Sequence, residues 1–564
     1  MKKSLFHIRS FFGFGTAVTC LSQVCLTLFA AFSCTSCIKN DIPYPVVVPH
    51  ILSMNVEGAL SVTPDPDNYV VNVVLGETVD LKRVNIKSFS LDKEDVKLSR
   101  EIVGVHNLVD DFKVVLTTYQ DYEWTIHATR PIERYCTVDN QVGAAVIDDV
   151  NRRVIIDVRK DALLSDVNIT SLKLGPKDMT TYVPSVDKIR NFTDNAGNPT
   201  YVEVEVNSFG DSETWKLYVN NTDVVVNVRN VNVWTKEVYI TADGISGQHN
   251  GFKYRKKSES GWIDVTSDEL TVDGGRFVAH IKGLDPATTY EYYAFSGSDM
   301  TDVEEFTTDP ARQFPNNSFE IFSIVKGNSY YKWYDPSSSV EEGRTIWWAS
   351  GNGEGPEGVN GTGSLGIVLT YPDKNEKMDG DWSVRCESKN FAGLLACGNL
   401  FTGRFAGLEG TTGGSVNYGR PWTTRPHKLR VWMKYISKPV HLIKNMPVGE
   451  SVKDGDPDRC EIAISIGNWD YRRMGGVPES PVYVNTSKNR YYNSRSEGII
   501  AFGHLVLDRS TDGWVQQEIE LEYRSLTEIP THIIVTCASS YLGDYLTGAD
   551  GSTLWIDKME LVYD

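Results

Sequence analysis

Three glutamates at alternate positions, Glu518, Glu520 and Glu522, place carboxylates on one face of a short apolar segment. Side chains two residues apart share a face of a β-strand. Hydrolysis of a glycosidic bond needs two carboxyl groups roughly 5 to 9.5 Å apart, so this segment could in principle supply them. The intervening Ile519 and Leu521 favour a simpler interpretation, a half-buried strand whose glutamates face water. We favour the second interpretation and leave the catalytic residues unassigned.

Aromatic side chains are concentrated in the last part of the chain, which holds nine of the thirteen tryptophans. A sugar stacks its apolar face on an exposed ring, and neighbouring amide and guanidinium groups bond to its hydroxyls. Most large rings are buried in any sandwich, so each of these residues could equally be part of the core. The candidate glycan-binding residues are Trp347, Trp348, Asn352, Trp422, Arg425, Trp469, Tyr471, Tyr491 and Tyr492.

Other chemistries find no support in the sequence. No G-x-S-x-G, H-E-x-x-H or phosphate-binding loop occurs, so serine-hydrolase, zinc-protease and nucleotide-dependent activities are not indicated. The chain has 74 acidic and 56 basic residues and a net charge of −18. Such an acid excess argues against nucleic-acid binding, which needs clustered lysine and arginine.

The first 36 residues have the pattern of a secretory leader. Lys2, Lys3 and Arg9 precede a stretch without charge that runs from Ser10 to Ile38. The segment 31–41 resembles the bacterial lipobox, in which a cysteine after small residues is acylated and becomes the new N-terminus. Cys34 and Cys37 both satisfy it; we favour Cys37, since Lys39-Asn40-Asp41 resembles the export signal of surface lipoproteins of gut Gram-negative bacteria. A retained membrane-spanning helix is the alternative.

The five cysteines that follow the proposed acylation site do not form a disulfide framework. They are few, odd in number and widely spaced: Cys136, Cys386, Cys397, Cys460 and Cys537. Cys386 and Cys397 could bridge one hairpin in an oxidising envelope, but buried free thiols are the favoured interpretation.

Short alternating segments separated by Gly, Pro, Asn and Asp predict an all-β chain. Examples are 70–74, 154–158 and 201–206. The segment 84–91 matches 167–174 at an offset of 83 residues, and Trp124 matches Trp215 near the end of each copy. The repeat therefore predicts two tandem sandwiches of under 100 residues, each with its tryptophan in its own core.

A third module is marked by Leu284-Asp285-Pro286-Ala287-Thr288-Thr289-Tyr290. This segment fits the L-x-P-x-T-x-Y pattern, and the region 223–309 therefore resembles a fibronectin type III domain. The resemblance implies a corner at which Leu284 and Tyr290 are buried and the tyrosine hydroxyl bonds to the backbone. Such modules act as spacers.

The C-terminal region resembles the family described as "putative carbohydrate metabolism domain", found at the end of many lipoproteins from gut bacteria. The segments that carry the resemblance are 316–320, 347–352, 398–403 and, most strongly, 538–548 with 551–557. The resemblance implies a jelly-roll sandwich similar to carbohydrate-binding modules and to some glycoside hydrolases. It implies no catalytic residue.

A calcium site is implied by a further resemblance. In many jelly-roll carbohydrate-binding modules a Glu from an early strand and an Asp from the last strand share a structural Ca²⁺, and Glu320 and Asp557 resemble that pair. Calcium needs several hard oxygens at one point, which the two chain ends could supply if they are adjacent. The alternative is a loop cap and a solvated carboxylate.

The sequence thus predicts an all-β protein of tandem immunoglobulin-like or fibronectin-like sandwiches followed by a large jelly roll. The predicted ranges are a signal peptide 1–36, a tether 37–47, sandwich repeats 48–133 and 134–222, the fibronectin-like module 223–309 and the jelly roll 310–564. We expect an outer-membrane lipoprotein, exposed on the surface, whose jelly roll binds a glycan without cleaving it. Its other expected partners are the membrane, through the acyl chains, and further glycan-uptake proteins. A glycoside hydrolase and a structural or adhesive surface protein are the alternatives.

Overall fold

The structure is a computed structural model that describes residues 47–325, 327, 330–354, 360–410 and 413–564. The predicted signal peptide, Cys34 and Cys37 lie outside these residues, and the anchor stays a prediction. Within the described ranges, no helix has both the length and the apolar character needed to cross a membrane. The described residues divide into two compact units, residues 47–74 with 81–129, and residues 75–80 with those from 130 onwards.

The first unit is a sandwich of a three-stranded sheet, in the order β1-β4-β6, and a five-stranded sheet, in the order β2-β3-β8-β7-β5. The fully buried Trp124 is in its core and donates from Nε1 to the carbonyl of Pro49 at 3.2 Å. The strands are β1 Ile51–Val56, β2 Ala59–Asp65, β3 Val70–Leu75, β4 Val84–Leu91, β5 Lys97–Leu98, β6 Gly104–His106, β7 Phe112–Thr117 and β8 Asp121–Thr129.

The second unit begins with a similar sandwich, whose sheets have the orders β10-β11-β15-β14-β13 and β12-β9. Its strands are β9 Tyr135–Val138, β10 Gln141–Asp148, β11 Arg153–Arg159, β12 Ile169–Lys173, β13 Thr181–Val183, β14 Tyr201–Ser208 and β15 Asp211–Thr222. A parallel pair occurs in both repeats, β3 with β8 and β11 with β15. Trp215 on β15 is buried, as Trp124 is on β8.

The third module has two sheets, β16-β17-β21-β20 and β19-β18-β22-β23, with β24 paired to β22. Its corner has the implied geometry: Leu284 and Tyr290 are buried, and the backbone N–H of Asp285 donates to the Tyr290 hydroxyl at 2.9 Å. The strands are β16 Asn227–Val233, β17 Val238–Asp243, β18 Asn250–Lys256, β19 Ile263–Asp264, β20 Leu270–Asp273, β21 Arg276–Ile281, β22 Thr289–Ser296, β23 Asp299–Met300 and β24 Glu304–Thr307.

The C-terminal domain is a sandwich of a ten-stranded and a five-stranded sheet. The larger has the order β37-β38-β33-β32-β42-β36-β39-β41 with β27 and β34 attached, and the smaller has the order β28-β29-β43-β35-β40. The strands are β25 Ser323–Ile324, β26 Tyr331–Lys332, β27 Trp348–Ala349, β28 Thr370–Asp373, β29 Ser383–Glu387, β30 Lys389–Phe391, β31 Leu394–Ala396, β32 Asn399–Leu408, β33 Gly414–Tyr418, β34 Arg420–Pro421, β35 Lys428–Ile436, β36 Cys460–Gly467, β37 Gly475–Val477, β38 Ser480–Asn485, β39 Ile499–Leu507, β40 Val515–Glu520, β41 Glu522–Tyr523, β42 His532–Ala538 and β43 Thr553–Val562.

Helical structure within the described residues is confined to short turns. One α-helical turn, α1, spans Tyr471–Met474, and 3₁₀ turns occur at Leu81–Arg83, Val186–Lys188, Glu341–Gly343, Thr362–Leu365, Thr486–Lys488 and Gly543–Tyr545. The all-β prediction is confirmed.

The core of the C-terminal domain lies between its two sheets, and alternation along the strands determines which side chains reach it. On β36, Cys460, Ile462, Ile464 and Ile466 are buried against the smaller sheet. The side chains between them, from Glu461 to Gly467, therefore lie on the outer face of the larger sheet. The five cysteines are free thiols, so Cys386 and Cys397 are not bridged.

Candidate functional site

A groove crosses the outer face of the ten-stranded sheet in the C-terminal domain. Three neighbouring cavities of about 170, 70 and 270 Å³ form it, and Asp544 lines all three. Because the cavities share their lining residues, they are parts of one depression. We call it the groove and define it by Asn399, Tyr418, Glu461, Ser465, Tyr491, Tyr492, His504, Thr536, Tyr541, Asp544 and Tyr545.

The floor of the groove is set by strand register. Residues directly opposite each other in an antiparallel pair point to the same face. Ala463 on β36 is opposite His504 on β39 and Thr536 on β42. Glu461 is opposite Ala538, which is in turn opposite Asn399 on β32. Polar side chains from four strands thus converge on one surface.

Tyrosines form the walls of the groove. The rings of Tyr491 and Tyr545 are stacked, with centroids 4.4 Å apart and planes inclined by 22°. The Tyr492 hydroxyl lies 2.6 Å from the Ser465 hydroxyl, and the Tyr492 ring packs edge-on against Tyr418. These contacts fix the aromatic surfaces before any ligand binds.

Asp544 projects into the groove from the 3₁₀ turn Gly543–Tyr545. This turn approaches the connection between β31 and β32 closely, because a Cβ at residue 543 would lie 2.5 Å from the Cys397 side chain. Only glycine permits that approach. The preceding segment is anchored by the buried Asp458, which accepts hydrogen bonds from the Ser540 hydroxyl at 2.6 Å and from the Ala549 N–H at 2.9 Å.

Asp544 and Glu461, two of the three carboxylates that line the groove, have different neighbours. Asp544 is open to water, but protein surrounds it on the other sides; this desolvation, with the charge of Glu461, raises the pKa of Asp544 to about 6. Glu461 has a different neighbour, His504, whose Nδ1 lies 3.6 Å from its Oε1. The interaction with Glu461 raises the pKa of His504.

One end of the groove opens into an apolar pocket, the part of the 170 Å³ cavity that apolar side chains line. Its rim includes the exposed Leu365 and Phe391. The other members are Ile367, Leu394, Leu395, Phe405, Leu408, Val416, Val484 and Leu546. The depression as a whole therefore has a polar part and an apolar part.

Two of the predicted glycan-binding residues, Tyr491 and Tyr492, line the groove. Trp469 is buried behind it, where its ring packs edge-on against Tyr492 and its Nε1 donates to the Glu497 carbonyl at 2.7 Å. Tyr471 is half-exposed on α1, beneath the guanidinium of Arg472.

The remaining candidates are located away from the groove. Trp348 and Trp422 are buried in the core, and the half-buried Trp347 packs edge-on against Trp422. Asn352 is buried, and its side chain bonds to the backbone of Leu369 and Thr370. Trp348, Trp422 and Asn352 offer no surface to a sugar because they are buried, and the half-buried Trp347 does not line the groove, so all four are left out of the site proposed below.

Arg425 is buried at a junction between modules. Its guanidinium donates to Asn232 Oδ1 at 2.8 Å, to the Leu526 carbonyl at 2.9 Å and to the Val233 carbonyl. It also lies over the ring of Trp234, 4.2 Å from the centroid. Arg425 therefore joins the third module to the C-terminal domain, and its guanidinium is not directed towards the groove.

The predicted calcium ligands, Glu320 and Asp557, hold one loop together. Glu320 accepts from the N–H groups of Asp381 and Trp382, both at 3.1 Å. Asp557 Oδ2 accepts from the N–H groups of Met378 and Asp379 at 2.7 and 2.9 Å. Both carboxylates are thus used to fix residues 378–382.

The fit of this pair to Ca²⁺ is partial. Asp557 Oδ1 is buried without a hydrogen-bond partner among the described residues, and burial raises the pKa of Asp557. Such an oxygen suits a cation. However, no group of three or more His, Cys, Asp or Glu side chains in the described ranges is placed to hold a metal ion. Backbone carbonyls or water would have to complete the shell, and the calcium stays a prediction.

The alternating glutamates are not part of the groove. Glu518 is on β40 of the smaller sheet, where Arg430 donates to it at 2.7 and 2.9 Å. Glu520 and Glu522 are exposed, whereas Ile519 and Leu521 are buried. The strand has the half-buried alternation that we favoured.

Sequence reasoning missed Glu461 and Asp544. Glu461 occupies one polar position in an ordinary strand, and only the register of β36 with its neighbours places it in a groove. Asp544 lies within 538–548, the segment in which the family resemblance is strongest. The family resemblance of that segment was therefore the one sequence signal that could have pointed to Asp544.

Comparisons with known proteins support the resemblance. Residues 318–562 match the model of the family described as "Putative carbohydrate metabolism domain". A crystal structure of a putative glycoside hydrolase from Bacteroides thetaiotaomicron aligns with 13% identity and a TM-score of 0.27, covering 93% of this chain and 98% of that one. Another, from Bacteroides vulgatus, aligns with 21% identity and a TM-score of 0.31, covering 44% of this chain and 97% of that one. No curated protein matches.

Proposed function

We propose, from the premise that residues 318–562 form a carbohydrate metabolism domain, that this chain is a lipid-anchored envelope protein that binds a glycan in the groove. The observation that carries the proposal is the groove itself, where tyrosine rings and polar side chains from four strands face one depression. Aromatic surfaces for stacking, combined with a few fixed polar groups, are what sugar recognition requires.

The aromatic wall supplies the stacking surface in this proposal. Tyr491 is half-buried against Tyr545, so its ring is held in place without being enclosed. A ring already fixed loses little conformational entropy when a sugar stacks on it. The amide of Asn399, the carboxylate of Glu461 and the imidazole of His504 offer donors and acceptors on the floor, while the buried Ser465 hydroxyl holds the Tyr492 hydroxyl in place.

The charge of the groove favours an uncharged glycan. Glu450, Glu461 and Asp544 line it, and the cationic groups on its lining are those of Arg495 and His504. Arg459 pairs with Glu450 at 2.9 Å, and the two remaining carboxylates offset Arg495 and His504, so the lining has no excess of positive charge to attract sulfated or uronic-acid chains. We therefore expect neutral polysaccharides as ligands.

The anchor and the spacing role of the three N-terminal modules remain parts of this proposal. Their support is the leader with its lipobox-like cysteines, together with the tandem sandwiches that precede the C-terminal domain. Display on the outer surface, alongside other glycan-uptake proteins, would give the groove access to extracellular polysaccharide.

A glycan array tests the proposal. The mature chain should be used whole, because Arg425 ties the C-terminal domain to the third module. We expect binding to neutral polysaccharides and about two- to tenfold weaker binding after Tyr491→Ala, since one stacking ring is worth about 0.5–1.5 kcal/mol. Tyr119→Ala is the matched control, an exposed tyrosine of the first unit. Absence of binding to any glycan would exclude the proposal.

A further inference from the structure

Two carboxyl groups in the groove have surroundings suited to acid–base chemistry. Glu461 rises from β36 on the floor, and Asp544 projects from the turn Gly543–Tyr545. Both line the same two cavities, and they interact electrostatically. Neither side chain is needed to hold the fold in the way that the buried Asp458 is.

The two groups have different neighbours. Asp544 stands in a protein-lined depression beside another acid, which favours its neutral, protonated form. Glu461 stands beside His504, whose Nδ1 lies 3.6 Å from the Glu461 Oε1 atom and whose pKa this contact raises. Two carboxyls that line one depression, one of them with surroundings that favour its protonated form, are the groups that glycosidic hydrolysis by a general acid and a general base uses.

We propose that the groove hydrolyses the glycan it binds, with Asp544 as general acid and Glu461 as general base. Asp544 gives its proton to the glycosidic oxygen while the bond from C1 to that oxygen breaks. A water molecule adds to C1 and gives its proton to Glu461, so one water is consumed for each bond cleaved. Exchange with solvent returns the proton to Asp544. This inference rests on the proposed function, because a glycan must first occupy the groove.

The neighbours of Asp544 set the pH range of the reaction. The titratable and charged side chains that face the groove beside it are Cys397, Tyr418, Glu450, Glu461, Arg495 and His504, together with its tyrosines. Burial raises the pKa of the Cys397 thiol to about 12, and Tyr418 is likewise neutral, so neither supplies charge near pH 7. Glu461, Glu450, His504 and Arg495 therefore determine the local field.

The test measures reducing-sugar release by the whole mature chain from xylan, mannan, arabinan and mixed-linkage β-glucan, beside binding to the same four polymers. We expect release that declines above about pH 6, where Asp544 loses its proton. Asp544→Asn and Glu461→Gln should each lower release at least a hundredfold, the usual size of an acid–base contribution. Both variants should bind the same polymers with affinities within a few-fold of wild type. Both should also show a cooperative thermal unfolding transition, which shows that they are folded.

Glu520→Gln is the matched control, a glutamate exposed on the smaller sheet. It should release sugar at the wild-type rate. Binding without release from any of the four polymers, or release that survives both groove variants, would overturn the hydrolytic inference and leave the binding proposal intact. Absence of both binding and release would overturn the proposed function.

Discussion

Arg425 illustrates how a single buried charge organises this molecule. It contacts two modules through three hydrogen bonds and an aromatic ring, and the same carbonyl of Leu526 also accepts from Asn232 Nδ2 at 2.7 Å. A guanidinium presents several donors in a fixed plane, which suits a site where several backbone and side-chain oxygens converge. The residue that the sequence suggested for ligand contact is thereby committed to structure.

Arg425→Ala is expected to destabilise the second unit by about 2–4 kcal/mol, because it leaves buried acceptors without a donor. Chemical denaturation measured by tryptophan fluorescence should show this loss. Arg472→Ala serves as the control, since Arg472 is exposed and should change stability by less than about 0.5 kcal/mol. Equal stability of the two variants would contradict the structural role of Arg425.

Asp544 makes a prediction about pH and stability. Its pKa is raised from 3.8 to about 6 in the folded chain, so the folded state holds this proton more tightly than the unfolded state. The contribution of this group to stability therefore falls as pH rises from about 4 to 6 and stays a cost above that range. An asparagine at this position cannot ionise, so it would not carry this cost.

Asp544→Asn should consequently raise the free energy of unfolding at pH 7.5 relative to wild type, and the difference should vanish at pH 4. Denaturant midpoints at the two pH values measure it. A variant that is less stable than wild type at pH 7.5 would show that the carboxylate form contributes favourable contacts instead.

The residues that line the groove could be predicted from sequence only in part. Alternation along a strand shows that two side chains point to opposite faces, but not which face is covered by another sheet. Trp347 and Trp348 are half-buried and buried respectively, and Trp422, which follows a proline, is also in the core. Tyr491 and Tyr492 reach the groove because their segment passes over the outer face of the larger sheet.

The strands and their modules were more accessible to sequence reasoning than the site. Period-two alternation and the turn residues indicate an all-β chain, and the matched segments 84–91 and 167–174 occur in equivalent places, on β4 and at β12. The parallel pairs β3–β8 and β11–β15 were not predictable, since pairing depends on contacts between segments distant in the chain. The groove was missed for the same reason, because it arises from four strands in register.

The loop 378–382 bonds both to Glu320, near the start of the C-terminal domain, and to Asp557 on the last strand, β43. These contacts lead to a prediction about metal binding. The Asp557 Oδ1 atom is buried and unbonded among the described residues, and the nearby Asp379 carboxylate adds to its unfavourable surroundings. A cation at this point would remove that cost. We expect a chelator to lower the melting temperature of the wild-type chain by several degrees, because a metal bound only by the folded state stabilises it.

Asp557→Asn is the companion variant, and its melting temperature should not respond to the chelator. Calcium added back should restore the wild-type value. A wild-type melting temperature that is the same with and without chelator would contradict the calcium prediction and leave Glu320 and Asp557 as anchors of the loop alone.

The distribution of charge along the sequence is relevant to how the chain would be attached to a membrane. Residues 1–36 have three basic groups and no acid, which leaves 53 basic and 74 acidic residues beyond them. A strongly negative chain held at a membrane stays solvated and repels anionic lipid. Attachment through acyl chains is compatible with that charge, because it needs no basic surface.

Cys37→Ser should therefore abolish incorporation of labelled palmitate and release the chain from the membrane fraction, whereas Cys34→Ser should leave both unchanged. Metabolic labelling followed by fractionation measures this. Labelling that survives Cys37→Ser and disappears with Cys34→Ser would shift the anchor to Cys34, and labelling of neither wild type nor variant would contradict the lipoprotein proposal.

The central claim is that a glycan occupies the groove on the outer face of the ten-stranded sheet. Amide hydrogen exchange on the whole mature chain, with and without the neutral polysaccharide that binds most tightly on the array, tests it directly. We predict slower exchange at residues 489–495 and 541–546, with the strands of the three N-terminal modules unchanged. Protection confined to another surface, with these segments unaffected at saturating glycan, would contradict the account.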